Sequence, residues 1–148
     1  EELDYPPDAT TIRKKKVYDQ RRRITLINST ENAVLLSIHQ NTYPDASPHG
    51  AQALYAKTEG SKELAESIHR ALVQALGAKN VRLPAKVPER VYLLNYAQCP
   101  AVLAETGFLS NPADEALLKT DAYRLRLAAA LAAGYLSACT NEQTGGAS

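Results

Sequence analysis

Two short apolar runs, each ending on a single titratable residue, constrain this chain more than any property averaged over it. The first is Ala33-Val34-Leu35-Leu36-Ser37-Ile38, which runs into His39; the second is Ala101-Val102-Leu103-Ala104, which runs into Glu105. A nearly continuous apolar run of this length suits a strand covered on both faces, as in a parallel sheet. Segments of helical pattern stand between and around the two runs. Strands alternating with helices predict an α/β layered architecture, and 148 residues are enough for one domain with one core. No internal repeat interrupts this pattern.

The remaining elements follow from local chemistry. Pro6-Pro7 makes residues 1–11 a loop. Apolar side chains at Val17, Ile24, Leu26 and Ile27 predict a helix over 19–29. Residues 42–50, rich in Pro, Asp, Ser and Gly, predict a loop, and 52–56 a second strand. Ser61 is expected to cap a helix whose buried face is Leu64, Ile68, Leu72 and Leu76 and whose stop is Gly77. A proline-bounded connection is expected over 79–88 and a short strand over 91–94. Ser110 or Asn111 caps a helix beginning near Pro112, and Asp121 caps a last helix from 122 to about 138, beyond which 140–148 is expected to fray.

Charge excludes some partners. A net charge of +1 argues against nucleic acid, which demands a marked basic excess. Lys14-Lys15-Lys16 and Arg21-Arg22-Arg23 read first as a solvated helix face and second as a patch for nucleic acid or another anionic polymer, against which the lack of interleaved aromatics counts. No apolar run approaches the roughly 20 residues of a membrane span, and no charged-then-apolar leader opens the chain. The chain has no methionine and begins at Glu1, which reads as a processed or excerpted piece. Cys99 and Cys139 cannot form a disulfide framework, and their pairing stays open.

Ligands of open α/β sheets bind at the carboxyl ends of the strands, where His39 and Glu105 are expected. A carboxylate beside a dry strand has a raised pKa, which suits proton transfer near neutrality. Singly, each residue has an ordinary alternative: a hydrogen-bonded structural histidine, and a glutamate held in an ion pair. His49 in its loop and His69 in its helix read as structural. There is no His-x-x-x-His and no Cys-x-x-Cys, so spacing alone yields no metal motif. The residues by themselves give an α/β domain with a candidate His/Glu site.

Longer motifs add a resemblance. Ser37-Ile38-His39-Gln40-Asn41 with Gly50-Ala51-Gln52, and the run from Pro100 through Glu105-Thr106-Gly107-Phe108-Leu109-Ser110-Asn111 to Pro112, resemble the zinc-dependent N-acetylmuramoyl-L-alanine amidases. The segment from Thr11 to Asp19, with Arg23, Asn28 and Val91-Tyr92-Leu93-Leu94, is similar to the spore-cortex, germination-related branch. The similarity extends over about 8–138.

The resemblance implies a three-layer fold with a mostly parallel or mixed sheet flanked by helices, here lacking its N-terminal strand or strands and a helix. Residues 1–139 would be the C-terminal two-thirds of one catalytic domain, and 140–148 a flexible tail. The implied activity is hydrolysis of the amide between N-acetylmuramic acid and L-alanine in peptidoglycan, outside the cell at the wall or spore cortex. His39 matches a zinc ligand and Glu105 the catalytic glutamate; Arg23 and Asn28 match structural positions, and Phe108 and Asn111 would fix the loop holding Glu105. The two further Zn2+ ligands, one in a Gly-His-Gly-Gly motif and one a glutamate, would lie upstream of Glu1, and neither Glu1 nor Glu2 replaces them. On that basis the chain alone is expected to bind zinc poorly, to hydrolyse little, and to be marginally stable because a strand edge is left unpaired. The implied partner is peptidoglycan, with no nucleic acid and no membrane span. A non-catalytic peptidoglycan-binding module of the same fold is the main alternative, and a protein that grips an anionic polymer through the basic residues of 13–23 is a third.

Overall fold

The apolar run at 101–104 becomes the centre of the sheet. In the computed structural model, which describes residues 4–77 and 82–145, this run opens strand β4 (Ala101–Phe108). The other strands are β1 (Leu35–Asn41), β2 (Gln52–Tyr55) and β3 (Ala85–Lys86), in the order β1-β4-β2-β3. β1 pairs with β4 in parallel, β4 with β2 antiparallel, and β2 with β3 in parallel, so the sheet is mixed.

Both faces of β4 are covered, which is why its sequence does not alternate. Val102 and Ala104, with Leu36 and Ala53, face α2 (Ser61–Leu76) and α5 (Asp121–Gly145) through Leu64, Ile68, Leu72, Leu127 and Leu131. Ala101 and Leu103, with Leu35 and Leu54, face α1 (Ile12–Ser29) and α3 (Tyr92–Tyr96) through Ile24 and Leu94. A short α4 (Pro112–Leu118) follows β4. The result is the expected three-layer stack. Among the described residues β1 has no neighbour on its outer edge, and Ile38 there is 55% exposed.

α2 and α5 approach closely. The Ser67 hydroxyl donates to the Gly134 carbonyl at 2.8 Å, and a Cβ at Gly134 would lie 2.6 Å from Ile68 Cα. Only glycine permits that separation.

Several elements differ from expectation. α1 begins at Ile12 rather than at 19, because the Thr11 hydroxyl accepts the Lys14 N–H at 3.2 Å and starts the helix there. The basic runs therefore lie inside the helix. The strand expected at 91–94 is a helix. Tyr92 and Tyr96 stack one turn apart with ring centroids at 4.5 Å, and the Asn95 carboxamide donates to the carbonyls of Pro88 and Val91. Ser61 is the first residue of α2 rather than its cap. Gly60 caps in a left-handed conformation, and the buried Ser61 hydroxyl accepts the Ala101 N–H at 2.9 Å, tying α2 to β4. α5 continues to Gly145, past the expected end near 138. Of the segment expected to fray, 146–148 lie outside the described residues, as do 78–81 of the proline-bounded connection and both Glu1 and Glu2.

Candidate functional site

β1 and β4 do not stop at their titratable residues, as expected, but run on to Asn41 and Phe108. The extension is secured by pairing. His39 and Glu105 are ladder partners across the parallel β1/β4 pair, so their side chains leave the sheet on one face from strands about 4.8 Å apart. On the other side of Glu105 its antiparallel partner is Gln52. Three polar residues thus stand in one row across three strands: His39, Glu105 and Gln52. Toward the strand starts the same face is largely apolar, with Leu103 and Leu54 and then Leu35 and Ala101.

The row is electrostatically uneven. His39 is exposed, while Glu105 is half-buried and its Oε2 is buried without a hydrogen-bond partner. Desolvation pushes the Glu105 carboxyl above its usual range, and the neighbouring His39 charge pulls it partly back. Gln52 is oriented by donation from Nε2 to the Leu83 carbonyl at 3.3 Å. The Thr106 hydroxyl donates to the His39 carbonyl at 3.0 Å, bridging the two strands at the site. Beyond it the register shifts between His39 and Asn41, a local irregularity of the kind that re-aims side chains.

The loop after β1 is fastened to the chain that follows Glu105. Leu109 N–H donates to the Asn41 carbonyl at 2.8 Å, and Tyr43 N–H to the Ser110 hydroxyl at 3.1 Å. Asn111 caps α4 by accepting from Ala113 and Asp114 N–H, and its Nδ2 donates to the Ala46 carbonyl at 2.8 Å. Phe108, expected with Asn111 to hold this loop, is buried at the end of β4. The strongest fastening is Asp114, which sequence reasoning missed. Its Oδ2 accepts the Gly50 N–H at 2.8 Å and the Phe108 N–H at 2.9 Å, and the residue is 8% exposed. The only local signal was an acid in the first turn of a capped helix, which reads as a partner for the helix dipole. Gln52 and Thr106 were likewise without assigned roles.

The other candidates lie apart. His49 is exposed and contacts the Ser47 carbonyl through Nδ1 at 3.1 Å. His69 is buried in α2, its Nδ1 lacks a partner, and burial lowers its pKa. Asn28 bonds to the Tyr96 carbonyl and the Gln98 N–H, joining α1 to the backbone ahead of β4, while Arg23 makes an exposed ion pair with Asp19 at 2.9 Å within α1; neither belongs to the row. Cys99 and Cys139 are free thiols. Among the described residues no three His, Cys, Asp or Glu side chains gather closely enough to hold a metal ion.

A mixed sheet between two layers of helices, with a histidine beside a desolvated glutamate on one face, defines an α/β domain with a candidate acid–base site. The chain belongs to the N-acetylmuramoyl-L-alanine amidase family, whose model matches residues 6–136. It is 33% identical over 137 residues to the germination-specific N-acetylmuramoyl-L-alanine amidase of Bacillus subtilis, covering 91% of this chain and 57% of that protein. To the N-acetylmuramoyl-L-alanine amidase LytC of the same organism it is 32% identical over 123 residues, covering 81% of this chain and 24% of LytC. The CwlD amidase from Clostridioides difficile, solved in complex with the GerS lipoprotein, matches with a TM-score of 0.87 and 29% identity, covering 95% of this chain and 71% of CwlD. The chain thus spans a little over half the length of the germination-specific relative. Among the described residues no helix is long and apolar enough to cross a membrane.

Proposed function

We propose that this chain carries the Glu105 side of a peptidoglycan amidase centre that hydrolyses the amide between N-acetylmuramic acid and L-alanine. The observation that carries the reading is the ladder pairing of His39 with a Glu105 whose Oε2 is buried and unpartnered. Amide hydrolysis needs a base for the attacking water and an acid for the departing amine. A carboxyl raised by burial can serve as both in turn. Glu105 takes the water proton as oxygen adds to the carbonyl carbon, then gives it to the L-alanine nitrogen as the C–N bond breaks. Fixed beside it, Gln52 offers an amide to orient the substrate.

Zinc enters as part of the proposal, with His39 as one ligand and the others outside the described residues. A catalytic zinc takes three protein ligands. The described residues do not assemble such a set, so the proton transfers above rest on Glu105 alone. The names of relatives, a germination-specific amidase and a probable cell wall amidase, support action at the cell wall, and the CwlD–GerS complex supports a protein partner.

The test is to incubate the full-length gene product that contains this chain, with zinc supplied, with purified peptidoglycan and to count newly exposed L-alanine amino groups beside Glu105→Gln. Release that Glu105→Gln abolishes supports the reading. Binding to peptidoglycan without release, unchanged in His39→Ala, favours the non-catalytic module. Neither binding nor release overturns both.

A further inference from the structure

The basic helix is not used by this chemistry. α1 holds seven of the chain's 17 basic residues and one of its 16 acidic ones, a net of +6, so the remainder of a chain that is +1 in all carries −5. All seven cations are exposed. Arg23 pairs with Asp19, and among the described residues no carboxylate pairs with the other six. Lys15 and Arg22 rest over the rings of Tyr5 and Tyr18, at 5.0 and 6.0 Å. The first turn contains Arg13, Lys14 and Lys15 and no acid, against the preference set by the helix dipole. A local rule broken without local compensation is a mark of function.

The position of this charge narrows the ligand. Asn28, at the end of α1, is bonded to the Tyr96 carbonyl and the Gln98 N–H just ahead of β4. Ile24 and Ile27 pack with Leu35 and Ala101 at the strand starts. α1 therefore runs antiparallel to β1. Its first turns lie toward the strand ends that carry His39 and Glu105, on the face those side chains share. Against those turns a cavity of about 440 Å³ has Arg13, Lys14, Tyr18 and Arg21 in its wall together with Asp8, whose carbonyl accepts the Lys14 ammonium at 2.9 Å. A membrane or a long polyanion would favour a flat, unbroken basic face. Cations converging on a cleft on the catalytic face favour a small acidic group continuous with the substrate.

We infer that Arg13, Lys14 and Arg21 form a subsite for the free carboxylates of the peptidoglycan stem peptide; this rests on the amidase reading above. Beyond L-alanine the stem bears carboxylates within two or three residues. At about 3.3–3.6 Å per residue these reach roughly 10 Å from the scissile bond, about the thickness of one packed layer.

The experiment measures binding of the chain to a muramyl tripeptide with free carboxylates and to its fully amidated counterpart, by calorimetry at low and at high salt. The acidic ligand should bind roughly fivefold more tightly or better at low salt, with the advantage shrinking as salt rises. Arg13→Gln/Arg21→Gln should erase the difference, while Lys15→Gln/Arg22→Gln should keep it; circular dichroism checks that each variant folds. Equal binding of the two ligands, or a preference that survives Arg13→Gln/Arg21→Gln, overturns the subsite and leaves the amidase reading standing. Phosphatidylglycerol vesicles binding through the same arginines, without discrimination between the muropeptides, also overturn it. If neither muropeptide binds at any salt, the amidase reading falls and the subsite with it.

Discussion

Replacing Asp114 with alanine should loosen the end of the sheet that carries His39 and Glu105. One carboxylate oxygen accepts both the Gly50 and the Phe108 N–H, at 2.8 and 2.9 Å, joining the loop after β1 to the strand three residues past Glu105. A hydrogen bond to a charged group contributes about 1.5–3 kcal/mol net. The Phe108 bond is buried, while the Gly50 bond is partly open to water. The pair therefore adds up to roughly 3–5 kcal/mol, toward the low end because water can replace part of it. A domain of this size has on the order of 5–15 kcal/mol in all, so Asp114→Ala removes a large share of it. Asp114→Asn keeps an acceptor oxygen for both amides and loses the charge, so it should cost about half as much. Urea unfolding at neutral pH reads the effect as a lower midpoint with an unchanged slope. Amide exchange should accelerate first at Gly50 and Phe108. If Asp114→Ala unfolds outright, Asp114→Asn carries the measurement. An Asp114→Ala variant within about 0.5 kcal/mol of the parent, or an Asp114→Asn as costly as Asp114→Ala, would refute the assignment.

Two further predictions follow from the same geometry. Burial raises the Glu105 pKa, so the folded chain binds this proton more tightly than the unfolded one. The stability this contributes is fully present below about pH 4.3 and is lost as pH rises through the folded pKa. Glu105→Gln should therefore melt above the parent at pH 8, and the two should converge toward pH 4; a parent that is the more stable at pH 8 contradicts this. Gly134→Ala places a Cβ 2.6 Å from Ile68 Cα and 3.1 Å from Ile68 N, backbone that cannot move aside. It should cost about 1–3 kcal/mol, seen as a lower melting temperature, and an unchanged melt would show that α2 and α5 separate freely.

Much of the framework is legible in the sequence because it depends on periods within one element. The unbroken apolar runs mark β1 and β4, since a strand covered on both faces has no polar side to alternate. The spacing of Leu64, Ile68 and Leu72 marks the buried face of α2, and Asn111 before Pro112 marks the start of α4. Other elements were misread for equally local reasons. Val91-Tyr92-Leu93-Leu94 is apolar enough for a strand and too short for its period to decide, so the bonds of Asn95 and the stacking of two tyrosines settle it as helix. Thr11 was a cap hidden behind a run of cations that masks the apolar stripe of α1.

By itself, then, the sequence determined most of the strands and helices, and it supplied His39 and Glu105 as the chemically capable residues on two of them. Only the tertiary structure decided that these two share a rung, that Gln52 flanks them, and that Asp114 holds together amides 58 positions apart in the chain. The reason is physical. Periodicity records how one element meets solvent and core, whereas register and buried polar partners depend on how separate elements are packed against one another, and no local pattern encodes that.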